Sequence, residues 1–224
     1  MTVTDPLPDL PVPAANPRPM AFPIIGIGAS AGGLEALEQF LGAVPPKAGM
    51  AFVIVQHLDP DRHGLLPEIL QRVTPMAVRE AANRIKIQPD CVYIIPPNKD
   101  LSILHETLFL LDPVVPRGLR LPIDFFLRSL AQDQRDQAIG VILSGMGSDG
   151  TLGLRAIKEA GGLVLVQDPT SAKFDGMPRS AIDAGLADLV LPASAMPGRI
   201  ASYRAHVPHL VVPPGNGDTS AQPS

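Results

Sequence analysis

The sequence is poor in cysteine, in aromatic residues and in charge. Its 224 residues include one cysteine, Cys91, and no tryptophan, while aromatic residues make up 4% and charged residues 18%. One cysteine excludes an internal disulfide framework and fits a reducing compartment. The formal net charge of -4 is opposite in sign to the surface that indiscriminate nucleic-acid binding requires. We therefore expect no nucleic-acid partner.

Long apolar runs and metal-ligand clusters are also missing. No stretch approaches the roughly 18 apolar residues of a membrane-spanning helix, and the N-terminus lacks the basic and apolar regions of a secretory signal. These absences predict a cytoplasmic protein without membrane insertion. The sequence contains no Cys/His cluster and no His-x-x-x-His pair, so we expect no metal site.

The sequence does contain enough apolar residues, 46%, for a large core. Residues 1–20 are rich in proline and show no periodicity, which predicts a disordered lead-in. Residues 207–224, rich in Pro, Gly, Ser and Thr, predict a disordered tail. The part between them, residues 21–206, has the length of one domain.

Apolar runs and helical patterns alternate along this domain. Strands are predicted at residues 22–28, 51–56, 76–79, 138–144, 163–167 and 187–191, and helices at 34–44, 65–73, 123–132, 152–160 and 196–206. Three shorter runs at 92–95, 101–104 and 108–111 indicate a hairpin or a small antiparallel edge. The alternation predicts the α/β class: a three-layer αβα domain with a mainly parallel, doubly wound sheet and a small antiparallel hairpin at one edge.

A glycine-rich turn joins the first predicted strand to the first predicted helix. Residues 28–32 read Gly-Ala-Ser-Ala-Gly, the Gly-x-Ser-x-Gly pattern of a nucleophile elbow. A phosphate or dinucleotide loop is the alternative, but Ala31 stands where the third glycine of Gly-x-Gly-x-x-Gly belongs, and no Gly-Lys-Ser/Thr follows. The turn alone leaves both interpretations open.

Two further loops follow predicted strands and carry complementary side chains. His57 ends the second strand, and Asp149 lies in a second glycine-rich loop after residues 138–144. The carboxyl ends of parallel strands meet at one rim of a sheet. A serine nucleophile needs a base, and the base needs a carboxylate that orients it, so Ser30, His57 and Asp149 are candidates for a triad.

Simpler interpretations of these residues stay open at this point. His57 can be a surface histidine, and Asp149 can be a turn residue or a helix N-cap. Other candidates exist for the acid and for the base. For the acid they are Asp59, Asp61 and Asp168, and for the base His63 and His105.

Four blocks of sequence read Gly-Ile-Gly-Ala-Ser-Ala-Gly-Gly at 26–33, Val-Ile-Val-Gln-His-Leu at 53–58, Gly-Val-Ile-Leu-Ser-Gly-Met-Gly-Ser-Asp-Gly at 140–150, and Gln-Asp-Pro with Gly-Met-Pro-Arg-Ser-Ala at 167–181. Together they resemble the catalytic domain of bacterial chemotaxis protein-glutamate methylesterases. The blocks follow the family's order, and the resemblance covers roughly residues 22–195.

The resemblance implies hydrolysis of glutamate methyl esters on the cytoplasmic helices of chemoreceptors, and in many members deamidation of receptor glutamines. It implies Ser30 as nucleophile, His57 as base and Asp149 as acid, with no cofactor or metal. Met146 matches a methionine beside the family's active site, and the backbone amides near Ala31 and Met146 are the expected oxyanion donors. Lys173 or Arg179 would favour the product carboxylate or an acidic receptor helix. The alternatives are a non-catalytic binding or regulatory module and a small-molecule esterase.

The sequence also departs from this family. Ala31 replaces a threonine usual in the chemotaxis branch, and Asn98-Lys99-Asp100 replaces a Gly-x-His. We expect no receiver domain ahead of residue 22, and residues 117–124 look more like a branch of the family in which this domain is fused to a methyltransferase and sensory modules. The expected partners are therefore methylated chemoreceptor helices or a related signalling protein, together with other modules of a larger sensory chain.

Overall fold

A computed structural model describes residues 22–57, 65–114 and 119–206. The strands are β1 Ile24–Ala29, β2 Ala51–Gln56, β3 Ala77–Glu80, β4 Ile85–Lys86, β5 Cys91–Ile94, β6 Asp100–Leu104, β7 Thr107–Leu111, β8 Ile139–Ile142, β9 Leu163–Gln167 and β10 Leu189–Leu191. The helices are α1 Gly33–Gly42, α2 Leu65–Gln71, α3 Pro122–Gln134, α4 Thr151–Glu159, α5 Gly176–Asp183 and α6 Met196–His206. The predicted lead-in and tail lie outside the described residues.

Seven strands form one sheet in the order β10-β9-β8-β1-β2-β5-β3. All neighbours in it pair in parallel. The central strands β1, β5, β8 and β9 are buried throughout, as expected where helices cover both faces of a parallel sheet. The predicted α/β class and mainly parallel sheet are confirmed.

Two apolar clusters fill the space on either side of this sheet. One contains buried residues of α3, α4 and α5, and the other contains buried residues of α1, α2 and α6. The helices therefore form two layers with the sheet between them, which is the predicted αβα arrangement.

Helix α3 lies directly over β1 because two glycines of that strand leave room for it. An ideal Cβ at Gly26 would lie 2.7 Å from a Leu127 methyl carbon, and one at Gly28 would lie 2.4 Å from a carbon of Ile123. Side chains at these positions would hold α3 away from the sheet. The close contact brings the N-terminus of α3 to the carboxyl end of β1, next to the loop that carries Ser30.

The antiparallel strands differ in two details from the sequence-based expectation. The hairpin of β6 and β7 exists, but it belongs to a separate three-stranded sheet ordered β4-β7-β6. The run predicted at 92–95 is not part of it, since β5 inserts between β2 and β3 of the parallel sheet. Every residue of β5 is buried, which a central strand allows and a hairpin edge does not. The alternation of strands and helices calls for a helix between β9 and β10, but the sequence analysis assigned no range to it; the structure places α5 there.

Candidate active site

The turn after β1 is a sharp strand-to-helix turn that carries Ser30. Ser30 follows the last residue of β1, and its carbonyl accepts a hydrogen bond from Gly33 N–H at 2.9 Å. Gly32 adopts a φ of 69°, a left-handed conformation that side chains other than glycine rarely adopt. The chain thus reverses within two residues and begins α1, leaving the Ser30 hydroxyl at the carboxyl rim of the sheet.

Ser30, His57 and Asp149 form one hydrogen-bonded series. Ser30 Oγ lies 3.2 Å from His57 Nδ1, and His57 Nε2 lies 2.8 Å from Asp149 Oδ2. An aspartate accepts, so Nε2 carries the ring proton when the imidazole is neutral and Nδ1 is left as the acceptor for the serine proton. His57 is 36% exposed while Asp149 is 3% exposed. The series therefore runs from an accessible imidazole to a buried carboxylate.

The N-terminus of α3 holds the Asp149 carboxylate. Ile123 N–H donates to Oδ2 at 3.1 Å and Asp124 N–H donates to Oδ1 at 2.9 Å. Free N–H groups and the helix dipole make this end of a helix favourable for a negative charge. The loop after β8 carries Asp149, and the first turn of α3 thus fixes the carboxylate that orients His57.

The Asp124 carboxylate makes the same type of contact, a hydrogen bond from a helix N-terminus, with the neighbouring helix α4. One of its carboxylate oxygens accepts a hydrogen bond from Gly153 N–H in the first turn of α4 at 2.7 Å. An ideal Cβ at Gly153 would lie 2.5 Å from Leu127 Cβ, so the two helices approach closely here. Burial raises the pKa of the Asp124 carboxyl above its ordinary value, although the Gly153 N–H opposes this, and the nearby Asp149 carboxylate adds to it. The sequence analysis missed this residue.

The raised pKa of Asp124 predicts how Asp124→Asn changes stability. The fold binds this proton more tightly than the unfolded chain does, so the contribution to the free energy of unfolding is largest below the ordinary pKa, about 3.9. It is lost as pH rises through the folded-state pKa. Asparagine keeps an oxygen acceptor for Gly153 and carries no charge, so the melting temperature of Asp124→Asn relative to wild type should be higher at pH 7 than at pH 4.

Thermal unfolding of both proteins at the two pH values measures this difference. The exposed Asp136 provides a matched control, because Asp136→Asn should shift melting equally at both. If the difference in melting temperature between Asp124→Asn and wild type were the same at both pH values, the assignment of a raised pKa to this carboxyl would be contradicted.

The backbone N–H groups of Ala31 and Met146 are oriented by the hydrogen bonds that the carbonyls of the same peptide units accept. Because a trans peptide is planar, its N–H and C=O point in opposite directions. The Ser30 carbonyl points to Gly33 N–H, and the Gly145 carbonyl accepts from Met177 N–H at 2.9 Å. Among the described residues, neither the Ala31 nor the Met146 N–H donates to a protein acceptor, so both are free to bind an oxyanion.

The loop that carries Met146 lies against the nucleophile. An ideal Cβ at Gly145 would lie 3.0 Å from Ser30 Cβ and 2.1 Å from Met177 Sδ, so a side chain there would displace one or the other. The Met146 residue itself is 62% exposed. It projects from the rim where a substrate would approach.

The other sequence candidates that the structure describes do not join this series. Asp168 accepts hydrogen bonds from Thr170, and the exposed His105 lies in the turn between β6 and β7. Lys173 is exposed and its Cβ packs near Gly32, while Arg179 pairs with Asp175 at 2.6 Å. Asp59, Asp61 and His63 lie outside the described residues.

Neither a metal-binding cluster nor a membrane-spanning helix occurs in the described part of the chain. Across 22–57, 65–114 and 119–206, no three or more His, Cys, Asp or Glu side chains are grouped so that they could hold a metal ion. In the same part of the chain, none of the helices combines the length and hydropathy of a membrane span.

A three-layer α/β fold with a Ser–His–Asp hydrogen-bonded series at its carboxyl rim defines the class of hydrolases that act through an activated serine. Comparison with known proteins narrows the class. The sequence profile of the CheB methylesterase family matches residues 25–200, and the chain belongs to this family. The expectation of a methylesterase, an ester-hydrolysing enzyme, is confirmed.

Individual relatives agree with the family. A Leptospira interrogans protein, provisionally named a protein-glutamate methylesterase/protein-glutamine glutaminase, is 39% identical over 173 residues, which are 77% of this chain and 90% of that protein. The Moorella thermoacetica protein of that name is 37% identical over 75% of this chain and 41% of its own length. The crystal structure of the Thermotoga maritima CheB methylesterase catalytic domain superposes with a TM-score of 0.76 at 32% identity, covering 82% of this chain and all of that one.

Proposed function

We propose that the chain hydrolyses γ-methyl esters of glutamate on a chemoreceptor-type signalling protein, with Ser30 as nucleophile, His57 as general base and Asp149 as the residue that orients it. The observation that supports this most is the unbroken hydrogen-bonded series from Ser30 Oγ to the Asp149 carboxylate. A serine hydroxyl is a weak nucleophile unless a base accepts its proton in this way.

Acylation is the first step. Ser30 Oγ attacks the γ-carbonyl carbon and its proton passes to His57 Nδ1. The resulting imidazolium donates from Nε2 to Asp149, whose negative charge stabilises it. The tetrahedral intermediate then collapses, His57 returns the proton to the departing methoxide oxygen, and methanol leaves. Glutamyl-Ser30 ester remains.

Deacylation repeats these transfers with water as the nucleophile. His57 accepts a proton from the water as it attacks the acyl carbon, and then donates this proton to Ser30 Oγ. The glutamate side chain leaves as the acid, which releases its remaining proton to solvent and becomes a carboxylate, and the original enzyme is restored. A glutamine side chain follows the same path with ammonia as the leaving group, because His57 protonates the departing nitrogen.

The N–H groups of Ala31 and Met146 are the proposed oxyanion donors in both steps. Preorganised donors of this kind stabilise the charge that develops on the carbonyl oxygen. Ala31 contributes its backbone here, so the lack of a hydroxyl at this position does not remove the donor. No residue in this scheme requires a cofactor or a metal.

The substrate is proposed to be a helix of a signalling protein in the cytoplasm. The Ser30–His57 end of the series is exposed, and the exposed Met146 stands beside it. A short ester side chain on the surface of a second protein can therefore reach Ser30. The single, buried Cys91 is consistent with the cytoplasmic location of such a partner.

Methanol release from a methylated chemoreceptor tests the proposed function. We expect the purified protein to release methanol in proportion to the ester present, at a kcat/KM well above that for p-nitrophenyl acetate. An unmethylated receptor is the control. Faster hydrolysis of the generic ester would instead favour a small-molecule esterase, and thermal stabilisation by a nucleotide without hydrolysis would favour a binding module.

A further inference from the structure

Ser144, which follows β8, forms hydrogen bonds through both its backbone carbonyl and its backbone N–H. These bonds connect Ser30 to the neighbouring strand β9. Its carbonyl accepts a hydrogen bond from Ser30 N–H at 3.0 Å, and its N–H donates to the side chain of Gln167 at 2.8 Å. Gln167 is itself buried at the end of β9, and its amide donates to the Ser171 carbonyl at 3.1 Å. The backbone on which Ser30 sits is therefore fixed from the side of β8.

The hydroxyl of Ser144 makes a second set of contacts. It accepts a hydrogen bond from Phe174 N–H at 3.0 Å, and its proton faces the Ala31 carbonyl at 2.9 Å and the Phe174 carbonyl at 3.2 Å. The residue is 1% exposed, so water does not replace these bonds without rearrangement. One buried hydroxyl thus contacts the elbow after β1 and the segment before α5.

That segment, residues 173–177, also holds the loop with Met146. The Phe174 carbonyl accepts from Gly145 N–H, and Met177 N–H donates to the Gly145 carbonyl, both at 2.9 Å. An ideal Cβ at Gly176 would lie 3.0 Å from Gly147 N, so the segment and the loop are in close contact. The Ser144 hydroxyl is therefore bonded to the peptide unit that follows Ala31 and, through Phe174, to the unit that precedes Gly145, and each of these is adjacent to a unit that presents a proposed oxyanion donor.

We propose that the Ser144 hydroxyl is a positioning group for the oxyanion site: it holds the Ala31 and Met146 amides in register with Ser30 without touching the substrate. This rests on the proposed function for the identity of the two donors. The hydroxyl sets the peptide unit that follows Ala31 and, through Phe174, the loop that begins at Gly145. Displacement of a donor by about 1 Å is enough to lower a rate about 10²-fold.

The close packing around Ser144 limits what else can stand there. An ideal Cβ at Gly32 would lie 2.9 Å from Ser144 Oγ and 2.8 Å from Lys173 Cβ. The elbow, the hydroxyl and the 173–177 segment are therefore in contact without a gap. Removing the hydroxyl leaves Phe174 N–H and the Ala31 carbonyl without this partner, so neither segment is held in place by it, and either group costs stability where water cannot reach it.

Two pairs of variants isolate the hydroxyl. The first pair is wild type and Ser144→Ala, which lacks the hydroxyl. The second pair is Ser144→Thr, which keeps a hydroxyl, and Ser144→Val, which lacks it at nearly the same side-chain volume. We expect Ser144→Ala to lower kcat for methanol release by about 10- to 100-fold with KM within about twofold. Ser144→Thr should be the more active member of its pair by at least tenfold. The affinity for a trifluoromethyl ketone, which forms an oxyanion on the serine, should fall in parallel with kcat/KM.

The outcomes separate a positioning role from a structural one. Lower melting temperature with unchanged kcat and unchanged inhibitor affinity would overturn the proposal, as would equal rates for the Thr and Val variants. The rate of Ser30 phosphonylation by a fluorophosphonate gives a readout that needs no receptor. If wild type releases no methanol but is phosphonylated faster than Ser144→Ala, the proposed function fails and the positioning role stands. Wild-type protein that is not phosphonylated would contradict both.

Discussion

Ser30→Ala should abolish nearly all ester hydrolysis while leaving the fold intact. Alanine keeps the Cβ that packs against Gly145 and the backbone bonds to Ser144 and Gly33, but it has no oxygen to attack the carbonyl. Loss of a triad nucleophile typically lowers kcat by about 10⁶-fold, and the remaining rate comes from the oxyanion site and from binding. Methanol release from methylated receptor, measured over hours, covers this range.

The control for this substitution is Ser102→Ala in β6. Ser102 lies in the separate antiparallel sheet, so the same loss of a hydroxyl there should leave kcat within about twofold, as for most substitutions away from special features. The circular dichroism and melting temperature of Ser30→Ala should match wild type. A folded Ser30→Ala protein with wild-type turnover would remove Ser30 from the mechanism.

Asp149→Asn has the second largest expected effect. An asparagine amide group can donate to His57 Nε2, and the imidazole would then carry its proton on Nδ1, where it faces Ser30 and cannot accept. The corresponding substitution in a serine protease lowers kcat by about 10⁴-fold, and we expect a loss of the same order. The amide nitrogen would also face the N–H of Ile123 or Asp124, which should cost about 1–3 kcal/mol of stability.

Turnover and thermal unfolding of the same preparation measure both consequences. Asp136→Asn, at an exposed position, makes the same chemical change away from the imidazole and should alter neither. If Asp149→Asn lost stability but retained kcat, the carboxylate would be a cap for α3 and not a partner of His57 in the reaction.

Much of the architecture could be predicted because its signals are local. The strand β2 and the strand β9 are continuous apolar runs with the bounds expected from the sequence, and parallel strands bring their carboxyl ends to one rim. That rule predicts that loops after β1, β2 and β8 approach one another. It does not predict the distances within the series, which depend on side-chain orientation.

The contacts that support the site depend on packing between distant segments and leave little trace in the sequence. The N-terminus of α3 reaches Asp149 because Gly26 and Gly28 allow this helix to pack closely against β1. A glycine in a strand pattern indicates that another segment approaches closely, but it does not indicate which one. The range of helix α5 escaped prediction because the helix has eight residues and begins Gly-Met-Pro, a composition more typical of a loop.

The position of β5 was misjudged for a related reason. A four-residue apolar run suits a buried parallel strand and a hairpin strand equally well, and proximity in the chain favoured pairing with β6. The structure pairs it with β2 and β3, where both faces of the strand are covered. Likewise, the sequence does not distinguish Ser144 from other serines that follow a strand. Only the structure shows its hydrogen bonds with Ala31, Phe174 and Gln167.

The most direct test of the account is to map the site of fluorophosphonate labelling by mass spectrometry. An activated serine next to a histidine base reacts with this reagent, whereas an ordinary serine does not. The account predicts one adduct per chain, on Ser30, formed much more slowly in Asp149→Asn. No adduct, or an adduct on another serine in folded wild-type protein, would contradict it.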